Sequence, residues 1–571
     1  MKRAVLFGVG FLAAVMTAGL PVLGQATVAE IGQVAVGTEG MVAAAHPLAA
    51  EVGARILALG GNAVDAAVAM SFTLGVVEPY ASGLGGEGYM IVALTDGTQV
   101  AVDFRSWAPG QVTKETPVNS YGPKSVCIPG TLAAMDLVLT KYGTMTLSEV
   151  LAPAIELAEN GFPVDSVFVT RVLDAYKDLS DPNYAEVGKV FLADGLVPEE
   201  GSIFKNPDLA YTLRLLADGG AQVFYEGEIA QAIVDATGGW ITMEDMAAYR
   251  AVEREPVHGT YRGYEILSAP PIVAGVVVVE ALNIIEHFNL ARYGRYDHPT
   301  VVHIIAEALK LAFADRDPVV GDPDFYDVPV IGLTSKEFAA ERVKFISLDS
   351  AIVPAETPVG DPWPYNTTVQ STDTLVGAGA ESGCTTHVSV VDKDGNAVSL
   401  TQTLSSFWGS RIAVPGYGFI LNNEYTNFNA YRKDRPDDIN VAGPYKRPRT
   451  VIAPTILLDR GEVFLVIGTP GAGRIPGVIV ETVVNVVDFC MNLEDAITAP
   501  KYYSRNSVKN LEIEGGFSPE LIAALQALGH QIKEYGPLDV YFGGTNAVMV
   551  LADGTMIGVA DIRRLGGAAA P

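Results

Sequence analysis

Cysteine is nearly absent. Three residues in 571, Cys127, Cys384 and Cys490, are too few and too scattered for a disulfide framework or a cysteine-ligated metal site. Basic residues are also scarce: Lys and Arg number 38 against 66 Asp and Glu, and the formal charge of −28 repels nucleic acid and anionic membrane, so neither is expected as a partner. Histidine is rare too, and His46, His258, His287, His298, His303 and His530 show no ligand spacing and are read as structural. What the chain does have is apolar content, 49%, enough to bury the core of two domains or of one large layered unit.

The N-terminus reads as an export signal. Lys2-Arg3 precedes an apolar run over residues 4–23, and Gly24-Gln25-Ala26 supplies the small residues a signal peptidase prefers, which predicts a signal peptide over 1–26 and a periplasmic or secreted protein. An uncleaved signal is the alternative, because the run is nearly long enough to anchor in a membrane. With no cysteine nearby, a lipidated N-terminus is excluded.

Periodicity predicts helices over 48–59 and 63–77, broken by Gly60-Gly61-Asn62, then strands over 89–94 and 100–104. The glycines at 83–88 look like a dinucleotide fingerprint but sit after a helix and before a strand, the reverse of its context, so a tight turn with close backbone approach is expected. A helix over 300–314 begins behind Pro299. Asp315-Arg316-Asp317 and Gly321-Asp322-Pro323-Asp324 are read as the turn that ends it, with a local ion pair, rather than as a metal site. Residues 354–383, rich in Pro, Thr, Ser and Gly, read as a flexible linker.

Immediately after that linker comes Gly383-Cys384-Thr385-Thr386-His387, followed by a hairpin pattern: strands over 385–391 and 397–404 around the turn 392–396. A three-residue loop with Gly395 left-handed pairs Asp392 with Asn396 and brings Thr385 opposite Thr403. A two-residue Asp-Gly turn would instead put it beside Leu404. A cut before Thr385 would make it a nucleophile that carries its own base, since its free amine can take the proton from its hydroxyl while a second hydroxyl orients that amine. Further on, a buried strand over 463–467 runs into Gly468-Thr469-Pro470-Gly471-Ala472-Gly473-Arg474, with a helix starting near Pro476. Backbone N–H groups at Gly471 and Ala472 are then candidates to hold an oxyanion, the alternative being a plain tight turn; the Lys-Ser/Thr pair of a phosphate loop is missing.

The motifs Gly60-Gly61-Asn62-Ala63-Val64-Asp65-Ala66-Ala67, Val102-Asp103-Phe104-Arg105, Ala306-Glu307-Ala308, Gly321-Asp322-Pro323-Asp324-Phe325, Thr385-Thr386-His387 and Lys446-Arg447-Pro448 together resemble the γ-glutamyltranspeptidases, or glutathione hydrolases, of the N-terminal-nucleophile hydrolases. The likeness implies an α+β fold, a four-layer αββα sandwich. It also implies one precursor cut between Cys384 and Thr385 into a large subunit, 27–384, and a small subunit, 385–571. By the same resemblance Thr385 is the nucleophile, Thr403 its contacting hydroxyl, Gly471 and Ala472 the oxyanion hole, and Arg105 the clamp on a substrate carboxylate, with Ser405, Glu424, Asn427, Thr450 and Val451 along the substrate pocket. No metal or organic cofactor is implied; the partners are a small amide and water or an amine acceptor.

Asn427 stands where the family usually has an Asp for the substrate ammonium, and Thr450-Val451 replaces a Ser pair. A lost charged partner costs about 1.5–3 kcal/mol, tenfold or more in binding. Arg105 and the overall resemblance lead to a γ-glutamyl compound as the expected substrate, and Asn427 and Val451 make a glutaryl amide or oxamate type of acylase substrate the alternative. Two further alternatives are an uncut, inactive binding protein on the same fold and Cys384 as nucleophile after a cut one residue earlier.

Overall fold

A computed structural model describes residues 32–366 and 384–571. The expected signal peptide and the later part of the expected linker lie outside the described residues. Two seven-stranded sheets face each other and a helical layer covers each outer side, giving the expected four layers. The first sheet centres on the strand Cys384–Asp392, which pairs with Gly40–Ala44 on one side and Ala397–Ser405 on the other; Glu87–Ala93 follows. The second sheet contains Thr455–Asp459, Glu462–Gly468, Asn546–Val550 and Met556–Ala560.

Strand alternation explains the layering. Val42, Met90, Val388, Val390, Val398 and Leu400 point to the outer helices Pro47–Ala58 and Ala63–Val77, whereas Met41, Ala43, Tyr89 and Ile91 point to the second sheet. On that inner side the hairpin also carries polar groups, and each finds a partner. The His387 ring bonds Thr401 Oγ1 at 2.8 Å and Ser389 Oγ at 3.0 Å, and Ser389 Oγ donates to the carbonyl of Asn546 at 3.0 Å. Burial pushes the His387 imidazole down to about 3, so it stays neutral between the sheets.

Helix Ala63–Val77 is apolar all round and correspondingly buried. Its N-terminus is held twice: Asn62 and Asp65 form a capping box, and Asp392 Oδ2 accepts the Ala63 N–H at 3.0 Å. Asp392 Oδ1 also accepts the N–H groups of Asp394 and Asn396, each at 3.0 Å, so one carboxylate fixes both the hairpin turn and the helix behind it.

Two expectations need correction. The helix predicted over 300–314 extends as Pro299–Val319, with Asp315, Arg316 and Asp317 inside it and buried. The triplet lies in the helix and not in a turn: the local ion pair is present, Arg316 to Asp317 at 3.3 Å, but Asp317 also pairs with Arg505, Asp315 with Arg342, and Arg316 reaches the Thr450 carbonyl. Buried charges are tolerated there because distant segments supply partners, which local polarity does not reveal. Residues 354–366 of the expected linker are also anchored, since Gly360 N–H donates to Asp315 Oδ1 and Arg342 grips the Pro358 carbonyl. Among the described residues no helix is long and apolar enough to cross a membrane.

Candidate active site

The hairpin register places the scissile-bond candidate in a bulge. Gly395 is left-handed at φ 89°, Asp392 N–H bonds the Asn396 carbonyl, and pairing runs from Val391↔Ala397 to Thr386↔Gln402. It then slips, so that Cys384 lies opposite Ser405 and Thr385 falls between partners. A bulge re-aims a side chain that a regular ladder would point at a neighbouring strand. Thr385 Oγ1 ends 3.4 Å from Thr403 Oγ1. The glycine turn closes in behind: a Cβ on Gly86 would sit 2.6 Å from the Thr403 carbonyl oxygen and one on Gly88 2.1 Å from that of Thr401, so no other residue fits.

The Cys384–Thr385 peptide is gripped on both sides. Thr385 Oγ1 donates to the Cys384 carbonyl at 2.7 Å, and Thr403 Oγ1 donates to the same oxygen. Thr403 Oγ1 in turn accepts the Ser405 N–H at 2.9 Å, which Ser405 presents from a left-handed conformation, φ 78°. Arg564 Nη1 donates to the Thr385 carbonyl at 3.1 Å. The Cys384 thiol is directed elsewhere, toward the carbonyls of Tyr80 and Ala81 at 3.0 and 3.2 Å, and burial pushes its pKa up, away from thiolate.

Thr385, Thr403, Ser405, Glu424, Asn427, Thr450, Val451 and Ala472 all line one cleft of about 280 Å3, closed by the apolar side chains of Ile452 and Ile475. Among the described residues that line it, Glu424 is the only carboxylate and none is His or Cys. Gly471, φ 136°, begins the turn between strand Glu462–Gly468 and helix Ile475–Val487, and Ala472 follows at φ 51°.

Arg105 differs from expectation. It is fully buried behind Glu424, not on the cleft surface, and it pairs with both Glu87 and Glu424 while donating to the Pro448 carbonyl at 3.1 Å. Glu424 Oε2 accepts from Arg105 at 2.9 Å and from Asn427 Nδ2 at 2.7 Å, whereas its Oε1 is buried and has no hydrogen-bond partner among the described residues. Asn427 Nδ2 also donates to Ser405 Oγ at 3.0 Å, linking the two walls.

Several contributors were invisible in the linear pattern: Arg316 on the Thr450 carbonyl, Arg564 on Thr385, Glu87 behind Arg105, and the apolar pair Ile452 and Ile475. Asn422 had a signal in the run Asn422-Asn423-Glu424. Its amide bonds the Gly85 and Cys127 carbonyls at 2.8 and 2.9 Å and its Oδ1 accepts the Glu424 N–H at 3.1 Å, fixing the turn that presents the carboxylate.

The model of the family described as gamma-glutamyltranspeptidase matches residues 49–571. The chain is 38% identical to the glutathione hydrolase proenzyme of Escherichia coli (strain K12), over 92% of this chain and 90% of the relative. It is 37% identical to the acylase ACY 1 proenzyme of Pseudomonas sp. (strain SE83), over 92% of both. The crystal structure of cephalosporin acylase from Bacillus halodurans superposes with a TM-score of 0.84 at 29% identity, covering 98% of this chain and 99% of that one. With the match running through both sheets of the sandwich and through the hairpin that carries Thr385, the chain belongs to the γ-glutamyltranspeptidase family.

Proposed function

We propose that this protein is an exported, self-processing amidohydrolase that cuts itself before Thr385 and then cleaves γ-glutamyl amides, glutathione or similar compounds, through a threonyl acyl-enzyme. In the first reaction Thr385 Oγ adds to the carbonyl carbon of Cys384, and the oxygen that gains negative charge is the one already bonded by Thr403. The C–N bond breaks as the hydroxyl proton passes to the departing Thr385 nitrogen, leaving an ester. Water hydrolyses the ester, freeing the carboxylate of Cys384 and the amine of Thr385, and so a large subunit, 27–384, and a small subunit, 385–571.

In turnover the new amine, with a reference pKa near ~7.7–8, takes the proton of its own hydroxyl as Oγ attacks the substrate carbonyl. The N–H groups of Gly471 and Ala472 receive the oxyanion. The amine product leaves with the proton, and water or an amine acceptor takes the acyl group.

The observation that carries the substrate reading is Glu424: a carboxylate with an unpartnered oxygen lines the same cleft as Thr385. It offers the substrate ammonium the charge that Asn427 lacks, while Arg105 acts from behind by holding Glu424. Ile452 and Ile475 suit the methylenes between the two ends of a glutamyl group. Val451, Asn427 and the similarity to acylases favour a second reading, a glutaryl-type amide without the ammonium.

Hydrolysis of γ-glutamyl and glutaryl anilides separates the two. Faster release from the γ-glutamyl compound, about tenfold for one charge-assisted contact, is expected; faster glutaryl release overturns the substrate reading. Denaturing electrophoresis tests the cut, where a single intact band in fresh and aged active protein would sink it.

A further inference from the structure

We propose that His303, Glu307 and His530 form a binding site for a borderline divalent transition metal such as Zn2+. His303 and Glu307 lie four residues apart on helix Pro299–Val319 and so share one face, while His530 comes from the loop behind helix Pro519–Ala527. All three are buried. His303 Nδ1, His530 Nε2 and Glu307 Oε1 are 2.8, 3.8 and 3.9 Å apart. Donors about 2.0–2.1 Å from a tetrahedral Zn2+ stand about 3.3 Å from one another, a spacing these distances bracket.

The surroundings orient the donors as a metal site requires. His303 donates its Nε2 hydrogen to the Ser347 carbonyl at 2.7 Å, which leaves the Nδ1 lone pair facing the cluster. Glu307 Oε2 is fixed by the Ile352 N–H at 3.0 Å, leaving Oε1 for the ion. His530 shares a hydrogen between its Nε2 and His303 Nδ1; with metal bound, that hydrogen moves to His530 Nδ1. Access is present as well: His530 and Lys310 line an open cleft of about 870 Å3, where a water can complete the coordination.

Lys310 is the competitor. Its ammonium donates to Glu307 Oε1 at 2.8 Å and to the Ile352 carbonyl at 2.7 Å. A dication displaces it from Glu307 toward the cleft that it already lines. The ion therefore binds against a resident cation, which sets its affinity below that of the bare ligands. His303 and Glu307 precede Thr385 in the chain and His530 follows it, so the ion would also clamp the two subunits; that consequence rests on the proposed cut, whereas the binding does not.

The test uses full-length purified protein stripped with chelator, titrated calorimetrically with Zn2+ and, separately, followed by absorption with Co2+. One equivalent of Zn2+ and the intense visible bands of tetrahedral Co2+ are expected. His530→Ala is expected to weaken Zn2+ by roughly 100-fold, and Lys310→Met to strengthen it by about tenfold, the size of one lost like-charge contact. The same affinity in His530→Ala as in the wild type, no tetrahedral Co2+ bands, or weaker binding in Lys310→Met would each overturn the proposal. Because the Co2+ spectrum is read on the wild type, misfolding of a ligand variant leaves the test standing. A Zn2+-dependent rise in the melting temperature of cut protein, absent in His530→Ala, is expected of the clamp; Zn2+ binding without that rise would overturn the clamp alone.

Discussion

The two walls of the cleft are built in opposite ways. On the Thr385 wall the geometry is made by backbone: a bulged hairpin, a glycine turn that admits no side chain, and a strand-to-helix turn at Gly471 and Ala472. On the Glu424 wall it is made by charge, with Arg105 paired to both Glu87 and Glu424 and Arg316 tying down Thr450. Chemistry and recognition are thus carried by separate parts of this fold. A backbone-built wall keeps its shape while side chains vary; a charge-built wall can change its ligand through one substitution.

The largest effect is expected at Thr385, the proposed nucleophile. Thr385→Ala should leave one uncut band and lower anilide turnover by on the order of 10^4-fold or more; two fragments produced by the variant itself would show that the nucleophile lies elsewhere. Thr403→Ala removes a hydroxyl but not a backbone feature, and it should slow cutting and turnover by about 10–100-fold, the worth of a hydrogen bond to a charged group. Both readouts need the same pair of gels and rates.

Glu424→Gln probes the other wall alone. Cutting should proceed normally while kcat/KM for a γ-glutamyl anilide falls about 10–100-fold and that for a glutaryl anilide does not. Equal losses on both substrates would mean that the carboxylate only props the turn.

A smaller effect separates the walls by pH. Lys446, buried with its ammonium on the carbonyls of Ile439 and Val441, holds the base of the loop 428–445, and burial pushes it from 10.5 down to about 8. Its pKa is depressed on folding, so the unfolded chain binds the extra proton between about 8 and 10.5, and this group's contribution to stability rises with pH across that window. Lys446→Met should flatten the rise in urea-unfolding free energy over the window; an unchanged slope would clear Lys446. Smallest of all, Ala472→Gly relieves a left-handed alanine and should stabilise the protein by about 0.5–1 kcal/mol with cutting intact.

How much of this was legible follows the same division. The hairpin, its loop and the register through Thr386 followed from β-branched residues and Asp-Lys-Asp-Gly-Asn chemistry, and helix Ala63–Val77 has the bounds its periodicity gives. Such features depend on neighbours in sequence. The bulge at Thr385 did not show, because it is set by what packs on both flanks. Nor did the burial of Arg105, whose partners Glu87 and Glu424 lie 18 and 319 residues away, or the helical state of Asp315-Arg316-Asp317, whose charges are matched from segments that local polarity cannot reveal.

Arg564, 179 residues beyond Thr385, holds that residue's carbonyl, and Gly567–Ala569 completes the sheet beside Gly40–Ala44, itself the neighbour of the Thr385 strand. A nascent chain still inside the ribosome at that point therefore owns every chemical group of the cleft yet lacks the brace that sets them in place.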